Sequence, residues 1–260
     1  MKYSISILII LFGMTLNFAV ASVESVSYCD TTATTESKEK SVGNWRGFSG
    51  SVVSMAQFQG NLDDYNANWG ARPGLGLITD DVSQSWRLEF NPLEKRQRIL
   101  GEFLGITTGL GVDWWRVGID PEHRLDYDEV NQIVVAEILN PDSVNVTKNQ
   151  IDAIYLRVPF LASLHTYRAG KSGFHIEAGL VAGYLLHSNY QYERQSGFTT
   201  LTTSEEFVIN PLQLNGRASI GIGKISLLGE ASLLPFFDEN PQDSPNMHSF
   251  SIGVQFRFSD

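Results

Sequence analysis

From Trp45 onward, apolar and polar side chains alternate along the chain with a period of two. A strand with one face in an apolar medium leaves this signature, because successive side chains point to opposite faces. The final segment is the clearest: His248, Phe250, Ile252, Val254, Phe256 and Phe258 alternate with Ser249, Ser251, Gly253, Gln255 and Arg257. Residues 174–186 and 212–222 repeat it. Weaker versions fall at 45–58, 84–92, 104–114, 154–164 and 225–233. Eight strands are predicted.

The connections between these segments are long (59–83), short (94–100), long (118–150), short (169–173), long (190–208), very short (Gly223-Lys224) and long again (238–247). Strict alternation of this kind predicts an up-and-down, closed antiparallel barrel that crosses a membrane, with short turns on the periplasmic side and long loops outside. The Gly223-Lys224 turn fixes one register. A two-residue hairpin pairs Ile222 with Ile225, moves the apolar face from even to odd positions and sets Arg217 opposite Glu230. A turn centred on Lys171 would set His165 opposite Glu177.

A membrane barrel turns its apolar face to lipid and packs the other face inward. The inward positions then carry Arg87, Glu89, Asp113, Arg157, Glu177, Arg217, Glu230 and Arg257, a set balanced in sign, together with His165. Such charges persist away from water only when paired. Aromatic residues gather near strand ends, as interfacial girdles require. Trp86, Trp114 and Tyr184 are expected toward the outer surface, and Phe48, Phe174, Phe256 and Phe258 toward the periplasm. The inside-out alternative, a soluble barrel around an apolar cavity, would put Lys, Glu and Asp on its outer face. The polar face here is mainly Gly, Ser, Gln and Asn.

The N-terminus changes the picture of location. Lys2, the apolar run from Ile5 to Phe12 and the small-x-small Ala19-Val20-Ala21 read as a cleaved signal peptide over residues 1–21. Residues 22–42, rich in Ser, Thr, Glu and Lys, read as a disordered periplasmic lead-in. The barrel domain occupies 43–260. A net charge of −10 argues against nucleic acid as a partner. The single cysteine, Cys29, excludes an internal disulfide.

Several stretches resemble a known group: Ser85-Trp86-Arg87-Leu88, Phe90-Asn91-Pro92-Leu93-Glu94-Lys95, the run Gly105 to Gly111, Tyr155 to Leu161, Phe174 to Gly179 and Phe250 to Phe256. In order and spacing they are similar to Bacteroidetes-type outer-membrane barrels of the PorT-like and OmpA-like kinds. The resemblance implies an eight-stranded barrel and no catalytic residues to carry over.

One constellation carries candidate chemistry. Ser163, His165, His175 and Glu177 share the inward face near the short-turn end, and by residue type they suit a hydrolytic triad or a metal site. A hydrogen-bonded interior predicts the same residues, so neither a metal, a cofactor nor an enzyme activity is expected. Eight strands enclose a space that side chains fill, which argues against a general pore. The expectation is a non-enzymatic outer-membrane barrel with a structural or interaction role. Its partners would be membrane lipid, lipopolysaccharide and an envelope protein. A small gated channel and a lipid-modifying hydrolase are the alternatives.

Overall fold

The computed structural model describes residues 43–57, 80–100, 103–121, 123–128, 133–138, 145–166, 173–196, 199–205, 209–237 and 247–258. The expected signal peptide, lead-in and Cys29 lie outside them. The described residues form eleven strands: β1 (Gly47–Gln57), β2 (Asp80–Leu100), β3 (Leu104–Ile119), β4 (His123–Asp128), β5 (Ile133–Ile138), β6 (Asn145–His165), β7 (Phe174–Ser196), β8 (Thr199–Glu205), β9 (Leu212–Ile222), β10 (Ile225–Ser232) and β11 (Met247–Arg257).

Eight of these close into an antiparallel barrel in the order β6-β3-β2-β1-β11-β10-β9-β7, with β7 pairing back onto β6. The first and last strands meet along the whole of β1, from Gly47 opposite Arg257 to Gln57 opposite Met247. Closure removes every sheet edge from the lipid zone, where an unpaired backbone group would cost several kcal/mol. Strand β8 extends the sheet beyond β7, and β4 pairs only with β5.

Alternation places the side chains as the sequence requires. Phe48, Val52, Leu88, Phe90, Ile106, Leu180, Ile220, Leu227, Ile252 and Phe256 lie on the outer face and are exposed, while Arg87, Glu89, Asp113, Arg157 and Glu230 are buried inside. Such a surface suits hydrocarbon and not water. At about 3.3 Å per residue and a tilt of about 40°, the stretch of β3 from Leu104 to Trp114 rises about 25 Å, the height of a barrel's apolar band.

Three differences from the sequence reading have physical causes. The expected 94–100 turn is the end of β2, and a bulge between Phe90 and Leu93 resets its register. The expected 118–150 and 190–208 loops are largely strand, because β3, β6 and β7 continue past the apolar band and β4, β5 and β8 pair beyond it. The 165–174 hairpin keeps its parity but is tighter by two: His165 faces His175, and Ser163 faces Glu177. His165 is therefore not opposite Glu177.

One further difference concerns the interior. An extra residue in β7, where Ile154 and Tyr155 face His187 and Leu185, moves its inward set from Val181 and Gly183 to Ser188, Tyr190 and Tyr192. Above this bulge the inward faces turn apolar. Val53, Met55, Trp115, Val117, Ile119, Ile151, Tyr155, Tyr190 and Tyr192 pack with Leu125, Ile209, Phe236 and Phe237 into one buried cluster at the long-connection end.

Candidate functional site: the filled lumen

The interior is filled in three layers. The apolar cluster occupies the long-connection end. Below it, Arg87 and Glu89 of β2, Asp113 of β3, Arg157 of β6, Arg217 of β9 and Glu230 of β10 meet across the barrel axis. Arg157 reaches Glu89 and Glu230 at 2.7 Å each and Asp113 at 3.3 Å. Arg217 Nη1 bridges Glu89 at 2.8 Å and Glu230 at 2.7 Å. Arg87 contacts Asp113 at 2.9 Å, Glu230 at 2.7 Å and its own strand neighbour Glu89. Every side chain in this network is at most 2 % exposed. Each carboxylate thus meets more than one guanidinium, the condition under which ionised groups are tolerated in a dry interior.

Aromatic rings close the network from both sides. Trp115 lies 4.9 Å from the Arg87 guanidinium and donates Nε1–H to Asp113 Oδ2 at 2.8 Å. Trp45, fully buried, lies 4.9 Å from the guanidinium of Arg217 and 5.9 Å from that of Arg157. Desolvated cation–π contacts of this kind contribute about 2 kcal/mol each.

Trp45 belongs to the third layer, a strap formed by residues 43–46 that crosses the short-turn mouth just before β1. Side chains from the wall hold its backbone. Gln255 donates to the carbonyls of Asn44 (2.7 Å) and Trp45 (2.8 Å), and Glu94 accepts from the amides of Gly43 (2.5 Å) and Arg46 (2.8 Å). Half-buried Arg257 donates to Asn44 Oδ1 at 2.8 Å. Small residues make the room: a Cβ on Gly109 would lie 2.7 Å from the Trp45 ring, and one on Gly111 would lie 3.1 Å from it.

The Ser163, His165, His175 and Glu177 group sits under the strap. Asn44 Nδ2 donates to His165 Nε2 at 2.9 Å and to Glu177 Oε1 at 3.4 Å. Ser163 Oγ donates to Gly105 O at 3.2 Å and accepts from Arg96 Nε at 2.9 Å. His175 Nε2 is hydrogen-bonded to Ser226 Oγ at 2.8 Å. Among the described residues, no group of three or more His, Cys, Asp or Glu is arranged to hold a metal ion.

Of the inward residues named from the sequence, Arg87, Glu89, Asp113, Arg157, Arg217 and Glu230 form the ionic network, while His165, Glu177 and the half-buried Arg257 meet Asn44 of the strap. Alternation did not identify Trp45, Asn44, Trp115 or Asn91, whose Nδ2 donates to Glu89 at 3.5 Å, as members. The signal for Trp115 is its odd position in β3, in phase with Asp113. The first strand is expected from residue 45, but β1 begins at Gly47, and the strap before it makes its contacts outside the alternating pattern. The girdle residues Phe48, Trp114, Phe174, Tyr184, Phe256 and Phe258 are exposed on the outer face, with Trp86 half-buried beside Trp114 at 5.2 Å.

An apolar exterior around a polar, ion-paired interior defines a membrane-spanning barrel of the outer-membrane type. Comparison with known families agrees. The chain belongs to the outer membrane protein beta-barrel domain family, which matches residues 9–238 and so takes in every strand but β11. No curated protein matches the chain.

Proposed function

We propose that this outer-membrane barrel is non-enzymatic and non-conducting, and that it presents its long connections outside the cell in a structural or interaction role. The observation that carries the reading is the filled lumen: an apolar layer, an ionic network and a strap lie in series along the axis. A conducting path needs continuous water, and each layer replaces water with side chains. The strands of β2, β3, β6 and β7 continue beyond the apolar band and are closed by their own buried cluster. This favours a rigid platform for a protein partner over a set of loose loops.

The likeness of the motifs to Bacteroidetes-type, PorT-like barrels belongs to the same proposal, as does export through a cleaved signal peptide. Heat-modifiable migration on gels, outer-membrane fractionation and planar-bilayer recording test it together. The expected result is an outer-membrane protein that shifts on heating and shows no conductance steps. Stable steps would overturn the sealed reading, and a soluble periplasmic fraction would overturn the location.

A further inference from the structure

Up the outer faces of β3 and β6, charge first appears in one row. The outward positions of β3 run Ile106, Thr108, Leu110, Val112 and Trp114, and then Arg116 follows. Those of β6 run Leu164, Ala162, Phe160, Val158, Leu156 and Ile154, and then Asp152. Trp86, Arg116, Asp152 and Asn189 are register partners across β2, β3, β6 and β7. This row lies at the long-connection edge of the apolar band.

Arg116 is held rigidly there. Its guanidinium lies 5.0 Å from the Trp86 ring and 5.9 Å from that of Trp114. Its Nε and Nη2 donate to Asp152 at 2.8 and 3.4 Å, and Gln150 Nε2 donates to the same carboxylate at 2.8 Å. The pair is partly open, at 29 % for Arg116 and 15 % for Asp152, and Trp114 is 44 % exposed. Asp152 engages Nε and Nη2 of the partly open Arg116 side chain and not its Nη1 donors. Hydrocarbon cannot satisfy them, so the row must meet polar headgroups.

The chemistry of the patch is specific. Two indoles at 70° offer a flat apolar platform beside a corner. An arginine and a carboxylate, already neutralising each other, offer paired donors and acceptors and little net pull on a phosphate. Flat aromatic faces beside an Arg–Asp pair suit the CH face and hydroxyls of a sugar ring. We propose that Trp86, Trp114, Arg116 and Asp152 form a subsite for the saccharide headgroup of an outer-leaflet glycolipid. This rests on the proposed orientation, with the long connections outside.

The test uses the full chain refolded in a neutral detergent, with native mass spectrometry reading bound lipid. The probes are a phosphorylated diglucosamine lipid, its dephosphorylated form and phosphatidylglycerol. Both diglucosamine lipids should bind alike, and phosphatidylglycerol about tenfold more weakly, the factor expected for one or two lost charge-assisted hydrogen bonds. Trp114→Leu and Arg116→Gln should each weaken glycolipid binding about tenfold while heat-modifiable migration is kept, which separates recognition from folding. Equal binding of phosphatidylglycerol, binding of the phosphorylated glycolipid alone, or folded variants that bind unchanged would each overturn the subsite. Labelling of a Cys29→Ser, Val82→Cys variant on intact cells with an impermeant reagent tests orientation by itself. A failure there removes the outer-leaflet placement without touching the binding result.

Discussion

Replacing Arg157 with Met probes the ionic layer most directly. The side chain is fully buried and lies within 3.3 Å of Glu89, Asp113 and Glu230. A contact at 2.7 Å corresponds to about 6 kcal/mol of gross attraction at an effective dielectric of about 20. Most of that only offsets the cost of keeping the ions from water. What the substitution leaves behind sets the net effect: Arg87 and Arg217 must then hold three carboxylates, one of them uncompensated. Breaking a buried network in this way costs about 3–5 kcal/mol. The assay is urea unfolding in micelles, followed by tryptophan fluorescence and by the heat-modifiable gel band. Adding Glu89→Gln removes the surplus negative charge, so the double variant should be more stable than Arg157→Met alone by at least about 1 kcal/mol, within the range of coupling seen for contacting residues. If Arg157→Met unfolds within about 0.5 kcal/mol of the unmodified chain, or if the second substitution makes it worse, the reading of this layer as a charge-balanced network is wrong.

Three more outcomes follow from the same structure. Trp45→Ala empties a site packed against Gly109 and Gly111 and removes both cation–π contacts, so it should cost about 3–5 kcal/mol in the same unfolding assay; Trp45→Phe should recover part of the loss. Ile252, 62 % exposed on the lipid face of β11, should tolerate Val but not Arg, which costs about 2–4 kcal/mol near the bilayer midplane and should lower the folded yield in vesicles. Gly223 has a φ of 64° in the two-residue turn, so Gly223→Val should destabilise by about 1–2 kcal/mol; an equally stable variant would show that the turn does not hold this conformation.

Much of the barrel is determined by local rules that the sequence carries openly. Side chains alternate across a strand whatever it pairs with, so the outward position of Ile252 and the inward position of Glu230 are readable from parity alone. A two-residue turn leaves one register available, and Glu230 does pair with Arg217. The class of the chain, a closed membrane-spanning barrel, was legible in that alternation and in the sorting of short and long connections.

The tertiary structure decided what parity cannot express. The 165–174 hairpin has several residues in its turn, so its register depends on packing, and it closed two residues tighter than symmetry about Lys171 suggested. Bulges at Phe90–Leu93 and at Leu185–His187 change phase without any compositional mark, and the second turns Tyr190 and Tyr192 of β7 inward in place of Asn189 and Gln191. Trp45 opens the first alternating segment but precedes β1, so alternation does not say what its ring meets; its place is fixed by Gln255 and Glu94, far from it along the chain. Which carboxylate meets which arginine is likewise decided by the barrel's closure. Short-range sterics write the faces of each strand into the sequence, but distances across the lumen exist only once β7 has met β6.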